Sequence, residues 1–131
     1  MIEIIKVDGT EAQLYPLVAH LVMDVDVLKY NLNYPFKTSE NYCWFIAREN
    51  NQTLGFIPVE LVDYRAVINN YYVADDDSKV FSKLLKELVK TLQRDFGIEA
   101  ITQVRHIRDF ERNGFSIVLR WKRYVKMRLF V

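Results

Sequence analysis

An amphipathic stretch between two apolar segments constrains the fold of this chain more than any other feature. From Ser78 to Phe96, apolar residues recur at positions i, i+1, i+4 and i+5, while lysines cover the opposite face. This stripe predicts a long helix that packs against a sheet. The flanking segments 66–73 and 98–104 are rich in β-branched and aromatic residues and predict strands. Together they form a βαβ unit, so the two strands are expected to be parallel.

The segment 66–73 is also the last of three short predicted strands joined by tight turns, which indicates an antiparallel meander. Pro58, in the second of these strands, predicts a bulge or an unpaired edge, because proline has no N–H to donate. The predicted order is β-α-β-β-β-α-β-α-β-β, an α+β architecture with a mixed sheet. The predicted strands are 2–7, 42–48, 53–62, 66–73, 98–104, 115–119 and 124–131, and the predicted helices are 11–30, 78–96 and 107–113.

Composition predicts a single domain over residues 1–131, because half of the residues are hydrophobic and no low-complexity segment divides them. No apolar run reaches the roughly 18–20 residues that a spanning helix needs, and the N-terminus lacks the pattern of a signal peptide. Cys43 has no partner for an internal disulfide and is expected to be a buried, inert thiol. We therefore expect a cytoplasmic protein with no membrane partner. No metal-binding motif is present.

Charge is unevenly distributed along the chain. Residues 1–77 hold five Lys or Arg against twelve Asp or Glu, whereas residues 105–131 hold eight against two, a net charge of +6. The basic end could bind an anionic partner such as a nucleic acid, with Trp121 and Tyr124 interleaved among the cations. No docking motif accompanies it, so a solvated basic face is the favoured interpretation.

The stretch RDFERNGFSIVLRWKRYVKMRLF, from Arg108 to Phe130, resembles the C-terminal signature of the GNAT acetyltransferase superfamily. In that signature an aromatic-Glu-x-x-Gly-Phe helix end leads into a closing pair of strands, and Phe110, Glu111, Gly114 and Phe115 stand on its four fixed positions. The segment NYYV followed by the striped helix is similar to the family's fourth strand and third helix. The resemblance implies a mainly antiparallel, twisted sheet with helices on both faces.

The resemblance implies an N-acetyltransferase that uses acetyl-CoA as a substrate to acylate an unidentified small-molecule or peptide amine. A homodimer is compatible with it. In the family the fourth and fifth strands separate, the pantetheine lies in the gap, and the pyrophosphate binds the N-terminus of the next helix. The corresponding residues here are Tyr72, Val73, Ser78, Lys79, Val80, Phe81, Lys83, Thr102, Gln103 and Arg108.

Among the family's motifs, the pyrophosphate loop is the one that this sequence matches least. The family's glycine positions fall on Asp77, Lys79 and Phe81, Asp76 replaces the expected Arg or Gln, and the loop is about two residues short. Glycine lets a backbone approach phosphates closely, and a carboxylate repels them. The acids from Asp75 to Asp77 are best explained as helix caps. They could instead bind a cation or an amine, or the cofactor could shift toward the nearby Ser and Lys side chains.

Catalytic groups are also altered. Phe110 stands where many relatives have the Tyr that protonates the leaving thiolate, and Tyr124 is an alternative hydroxyl. Glu60 is the candidate general base, since Asn69 and Asn70 occupy the usual region and amides are poor bases. His20 and His106 are expected to be structural. These changes leave the assignment open between an acetyltransferase and a GNAT-like domain that has lost acetyl-CoA binding and serves as a binding or assembly module, with nucleic acid as the less favoured partner.

Overall fold

An eight-stranded sheet with helices on both faces forms this chain, and the predicted α+β architecture is confirmed. The computed structural model describes residues 1–130. The elements in chain order are β1 (Glu3–Asp8), α1 (Leu14–Val22), α2 (Val25–Lys29), β2 (Tyr42–Glu49), β3 (Gln52–Val62), β4 (Arg65–Ile68), β5 (Tyr72–Val73), α3 (Ser78–Leu92), β6 (Gly97–Gln103), α4 (Ile107–Glu111), β7 (Phe115–Arg120) and β8 (Tyr124–Leu129).

The strand order in the sheet is β1-β2-β3-β4-β6-β8-β7, and β5 pairs with β3 beside β4. Neighbouring strands are antiparallel except β4 and β6, which are parallel as the βαβ pattern predicts. The C-terminal hairpin adds β8 next to β6, so β7 forms one edge of the sheet and β1 the other.

The two faces of the sheet carry separate apolar clusters. Along β2, Phe45 points into the cluster under α3 and α4, whereas Trp44 and Ile46 point into the cluster under α1. This alternation follows from the two-residue period of a strand. The larger cluster contains the buried stripe of α3, including Phe81 and Leu85, which confirms the predicted role of that helix.

The predicted helix 11–30 is wrong in its continuity, because it divides into α1 and α2. Asp24 interrupts it: its carboxylate accepts hydrogen bonds from the N–H groups of Asp26 and Val27 and starts a new helix. An acidic side chain in this position competes with helix continuation by satisfying local backbone donors. The short α2 then ends beside the middle of the sheet.

The predicted strand 66–73 is also interrupted. β4 ends at Ile68, and β5 begins again at Tyr72 with a different partner. On this side of β3, Ile57 and Pro58 have no strand partner within residues 1–130, because β4 pairs from Val59 onward and β5 pairs with Gly55 and Phe56. Pro58 thus lies opposite the interruption, and the expected unpaired edge is confirmed. The polar pair before Tyr71 leaves the ladder because Asn70 uses its side chain to bind the main-chain N–H of Tyr71.

The remaining boundaries differ by a few residues. The helix predicted over 78–96 ends at Leu92, and Gly97 starts β6 and donates its N–H to Tyr64 O, rather than capping the helix. The short helix predicted over 107–113 ends at Glu111. The last strand ends at Leu129, and Val131, its predicted end, lies outside the described residues. No helix within residues 1–130 combines the length and apolarity needed to cross a bilayer.

Candidate functional site

The two middle strands of the sheet separate after Ile68. β4 pairs with β6 as far as Ile68↔Ala100, but β5 pairs with β3 instead. The second half of β6, Ile101–Gln103, keeps its partner β8 on one side and has no strand partner on the other among residues 1–130. We call the gap between β5 and Ile101–Gln103 the fork.

Tyr71 fills the side of the fork that faces α3. It is 1% exposed, and its ring centroid lies 5.3 Å from that of Phe81 and 5.9 Å from that of Phe110. Its hydroxyl oxygen lies 2.6 Å from Thr102 Oγ1 and accepts a hydrogen bond from Gln103 N–H at 3.2 Å. The Tyr71 hydroxyl therefore satisfies the Gln103 N–H, a backbone donor that would otherwise be free at the unpaired edge of β6.

Tyr30, the residue after α2, also packs in the fork. Its ring makes edge contacts with Tyr71 and Tyr72, at centroid distances of 6.2 and 5.1 Å. Successive residues of an extended segment point to opposite faces, so Tyr71 and Tyr72 point to opposite sides of the sheet. A ring that touches both of them lies in the gap between the strands. The ring stacks on His106 at 5.5 Å, and the Arg105 guanidinium lies 4.7 Å from its centroid.

His106 links the Tyr71 hydroxyl to the carboxylate of Asp76. It is 1% exposed, with Nδ1 2.7 Å from the Tyr71 hydroxyl and Nε2 2.8 Å from Asp76 Oδ1. Burial lowers the pKa of His106 and the charge of Arg105 adds to this, against the attraction of Asp76. The ring is therefore neutral at pH 7, donates its Nε2–H to Asp76, and accepts from the Tyr71 hydroxyl at Nδ1.

Asp76 is held as a carboxylate. Burial opposes its ionisation, but hydrogen bonds from Tyr30, His106 and Arg105 outweigh burial and lower the pKa of Asp76. Arg105 Nε donates to Asp76 Oδ2 at 3.0 Å, and Arg105 Nη2 donates to the main-chain oxygen of Tyr30 at 3.1 Å. Burial raises the pKa of both Tyr30 and Tyr71, so both hydroxyls remain protonated and available as donors.

Asn31 ties the end of α2 to both sides of the fork. It is 3% exposed, donates to Asn70 Oδ1 at 2.8 Å, and accepts from the Tyr124 hydroxyl at 2.8 Å. Gln103 Nε2 adds a hydrogen bond to the main-chain oxygen of Tyr30 at 3.0 Å. The position of Tyr30 is thus fixed by its neighbours as well as by its own ring.

The residues before α3 form a left-handed turn. Asp75 and Asp76 have φ angles of 57° and 51°, which Asp tolerates better than most residues other than glycine. Asp77 Oδ1 accepts from the N–H groups of Lys79 at 2.9 Å and Val80 at 3.3 Å. The predicted helix cap is confirmed for Asp77. It is wrong for Asp76, whose carboxylate turns toward the fork.

The residues expected at catalytic positions lie in three different environments. Phe110 is fully buried in the core. Tyr124 donates its hydroxyl hydrogen bond to Asn31. Glu60 lines a polar pocket of about 150 Å³ on the face of Asn69 and Asn70. No hydrogen bond among the described residues joins these three side chains, so the structure does not bring them together as one catalytic group.

The residues expected to hold the cofactor divide into three groups. The first group is buried in the cluster between α3 and the sheet and consists of Val73 on β5 and of Val80 and Phe81 on α3 itself. The second group borders or enters the fork and consists of Tyr72, Thr102 and Gln103. The third group is exposed on α3 and α4 and consists of Ser78, Lys79, Lys83 and Arg108. Within residues 1–130, no three His, Cys, Asp or Glu side chains are arranged to hold a metal ion.

Comparisons with solved structures identify the fold. No protein-family model and no curated protein sequence matches this chain. Escherichia coli ElaA superposes with a TM-score of 0.80 at 14% identity, covering 98% of this chain and 99% of its own. The ribosomal-protein-S18-alanine N-acetyltransferase from Escherichia coli gives 0.73 at 18% identity, covering 98% and 93%. An aminoglycoside acetyltransferase, AAC(6')-Ib, solved with coenzyme A and kanamycin, gives 0.69 at 13%, covering 98% and 94%. This chain has the GNAT fold.

The start of α3 does not fit the pyrophosphate that the resemblance to GNAT enzymes implies there. Asp77 already accepts the N–H groups of Lys79 and Val80, which are among the donors that would face a phosphate. A carboxylate at about 4 Å from a phosphate charge in partly wet surroundings costs about 1–4 kcal/mol. The loop also has no glycine that would let the backbone approach more closely.

The fork does not fit the pantetheine arm either. Three rings, those of Tyr30, Tyr71 and His106, fill the gap where the arm of acyl-CoA lies in GNAT enzymes. The Gln103 N–H, a strand-edge donor inside the fork, is bonded to the Tyr71 hydroxyl. In the conformation described, the fork is a hydrogen-bonded part of the interior of this GNAT-fold domain.

Sequence reasoning missed the residues that fill the fork. Tyr30 follows the apolar stripe of a predicted helix, and nothing in its spacing distinguishes it from a core residue. Tyr71 stands in a run that reads as an ordinary strand. A signal was present in Asn69 and Asn70, because two adjacent amides inside an apolar strand favour a break in the ladder.

Proposed function

We propose that this chain is a GNAT-fold binding protein that works without acyl-CoA. The observation that carries the proposal is the packing of the Tyr30 ring between β5 and β6, where it contacts Tyr71, Tyr72 and His106. A cofactor arm and this ring cannot share the gap. The acidic start of α3 supports the same conclusion independently, since it lacks the donors and the space that a pyrophosphate needs.

The energy needed to open the fork indicates how strongly acyl-CoA binding is opposed. Withdrawing the end of α2 breaks five hydrogen bonds, namely Tyr30 OH with His106, Tyr30 O with Gln103 and with Arg105, Asn31 with Asn70, and Asn31 with Tyr124. At about 1 kcal/mol each, the open state lies about 5 kcal/mol above the closed one. Such a gap weakens the apparent affinity for a ligand of the open state about 5,000-fold.

An N-acyltransferase acting on a small-molecule or peptide amine is the second candidate. The GNAT fold itself favours it, because the similar structures include N-acetyltransferases, one of them solved with coenzyme A. Glu60 supports it too, since its carboxylate lines a polar pocket with Asn69 and Asn70 and could accept a proton from an amine there. This candidate requires Tyr30 to leave the fork before acyl-CoA enters.

Thermal unfolding with and without acetyl-CoA distinguishes the two candidates. For an unobstructed cleft with a Kd of about 10 µM, about 1 mM ligand stabilises the native state by about 2.7 kcal/mol. Such stabilisation raises Tm by about 10 °C in a chain of 131 residues. We expect the wild-type Tm to change by less than about 1 °C. A saturable rise of several degrees would overturn the proposal and support the acyltransferase.

A pair of variants tests the role of the ring directly. Tyr30→Ala removes the ring from the fork, whereas Tyr15→Ala removes a ring that is 60% exposed on α1. Circular dichroism and a cooperative melt confirm that both fold. Calorimetric titration with coenzyme A then asks whether Tyr30→Ala alone gains binding. A gain would show that the ring is the main obstacle, and coenzyme A binding by wild type as tight as that by Tyr30→Ala would refute the closed-fork argument.

A further inference from the structure

A shallow cavity of about 400 Å³ opens on the surface beside the fork. It lies between the loop after α2, the end of β6 and the turn that joins β7 to β8. Its lining consists of Leu32, Gln103, Val104, Arg105, Lys122 and Arg123. We propose that this cavity, the basic pocket, binds a small organic molecule through a phosphate monoester group.

The charges around the basic pocket favour a dianion. Arg105, Lys122 and Arg123 line it, and no carboxylate does. Arg105 is paired with Asp76, whereas Lys122 and Arg123 form no ion pair with any of residues 1–130. The lining and this one counter-ion therefore leave a local charge of +2, which the two charges of a phosphate monoester neutralise. The guanidinium groups supply paired donors that suit phosphate oxygens.

The walls of the basic pocket are fixed relative to one another. Gln103 and Arg105 both donate to the main-chain oxygen of Tyr30, which holds the end of β6 against the end of α2. The β7–β8 turn closes through Trp121 N–H to Tyr124 O at 2.9 Å, and the Tyr124 hydroxyl binds Asn31. A site held in this way loses little conformational entropy when a ligand binds.

The placement of the remaining basic residues favours a compact ligand over a nucleic acid. Three other cations of the C-terminal region have acidic neighbours: Arg112 lies near Asp109, and Lys126 and Arg128 lie near Glu99. Of the four cations in this region that form no ion pair with residues 1–130, only Arg108 lies away from the β7–β8 turn, since Arg120 ends β7 beside Lys122 and Arg123. The unpaired positive charge is therefore concentrated at this turn rather than spread along a track that a polyanion could follow. Leu32 and Val104, which are 54% and 48% exposed, offer apolar walls for the organic part of the ligand.

This inference rests on the proposed function, because it names the ligand class of a protein that binds without acyl-CoA. It can fail independently, however. The basic pocket is tested with phosphate compounds and the fork with coenzyme A, so a negative result in one experiment leaves the other unchanged.

Two-dimensional ¹⁵N NMR titration at constant ionic strength provides the test. The probes are inorganic phosphate, glycerol 3-phosphate, sodium acetate and a thymidine decanucleotide. We expect saturable shifts of the Lys122 and Arg123 amides with the two phosphate compounds, stronger for glycerol 3-phosphate, and none with acetate. In the variant Lys122→Ser/Arg123→Ser, the affinity for phosphate should fall at least about tenfold, from the loss of two unit charges near the anion.

A matched variant and three outcomes decide the inference. Lys86→Ser/Lys90→Ser removes the same charge from the exposed face of α3 and should bind phosphate within about twofold of wild type. Equal weakening in both variants, or equal shifts with acetate, would mean general charge screening and overturn the inference. Tighter, steeply salt-dependent binding of the decanucleotide would overturn it in favour of a nucleic-acid surface.

Discussion

Replacing Asp76 with asparagine tests whether the fork is closed by the interactions described. The carboxylate accepts from His106 at 2.8 Å and from Arg105 at 3.0 Å, and hydrogen bonding by Tyr30 also lowers its pKa. The asparagine side chain would lose the charge and keep one oxygen acceptor, which can take over the bond from His106, while its amide nitrogen, a donor, would stand where Oδ2 accepts from Arg105. The change therefore weakens or removes the charge-assisted hydrogen bonds of this side chain without creating a cavity. Asparagine also tolerates the left-handed backbone at this position.

The expected loss of stability can be worked from these contacts. A hydrogen bond to a charged group exceeds a neutral one by about 1 kcal/mol for a buried partner such as His106. Because the Asp76 side chain is 42% exposed, the interactions with Arg105 and Tyr30 are screened and count about 0.5 kcal/mol each. The total is about 2 kcal/mol. With about 2.1 cal/mol/K of unfolding entropy for each of 131 residues, Tm should fall by about 7 °C.

The pH dependence of this loss follows from the lowered pKa of Asp76. A carboxyl group whose pKa is lower in the folded state stabilises the protein above its unfolded pKa, about 3.9, and loses that contribution as pH falls through the folded value. The difference in Tm between wild type and Asp76→Asn should be full at pH 7 and shrink below about pH 4. Differential scanning calorimetry between these pH values measures it.

Asp75→Asn is the matched control for this prediction. Asp75 is the neighbouring acid, has a similar φ angle of 57°, and makes no hydrogen bond or ion pair with residues 1–130. Its replacement should change Tm by less than about 2 °C. The reasoning is refuted if both substitutions lower Tm equally, or if Asp76→Asn has no effect at pH 7.

Three further substitutions test separate parts of the structure. His106→Gln should flatten the fall of the free energy of unfolding between pH 7 and pH 5, by at most about 1.4 kcal/mol per pH unit, because a base with a lowered folded pKa loses its contribution as pH falls below about 6.5; calorimetry at each pH measures the slope. Asp77→Ala should cost about 1 kcal/mol in urea unfolding through loss of the α3 cap, and Ser78→Ala much less. Phe110→Tyr restores the hydroxyl of the GNAT signature but buries it without a partner, so it should destabilise by about 1–3 kcal/mol and give no acetyl transfer in a thiol-release assay.

Much of the fold could be predicted because it depends on periodicity. The stripe of α3 and the parallel pairing of β4 with β6 follow from spacing and length alone, and both are confirmed. The break at Asp24 could not be predicted with the same ease, since an acid within an amphipathic pattern is usually a solvated helix residue. Local hydrogen bonds to the backbone decided the outcome, and those depend on geometry that a pattern does not contain.

The location of the fork was predicted, but the side chains that fill it were not. The resemblance to the GNAT superfamily implied where two strands should separate, and the acidic residues before α3 indicated that the implied phosphate site was altered. What occupies the gap depends on a contact between Tyr30 and His106, which are 76 positions apart in the chain. A contact of that kind is set by tertiary packing, so a single sequence reveals neither partner.

The interruption between β4 and β5 has a consequence for how the sheet exchanges its amide hydrogens with solvent. Strand edges without a ladder partner normally exchange fast, but here side chains replace the missing strand: the Tyr71 hydroxyl holds Gln103 N–H and the Asn70 amide holds Tyr71 N–H. These two hydrogens should exchange only when the segment after α2 lifts away, at a rate common to both. Local opening at the centre of this sheet is thereby coupled to a helix that is distant from it in sequence.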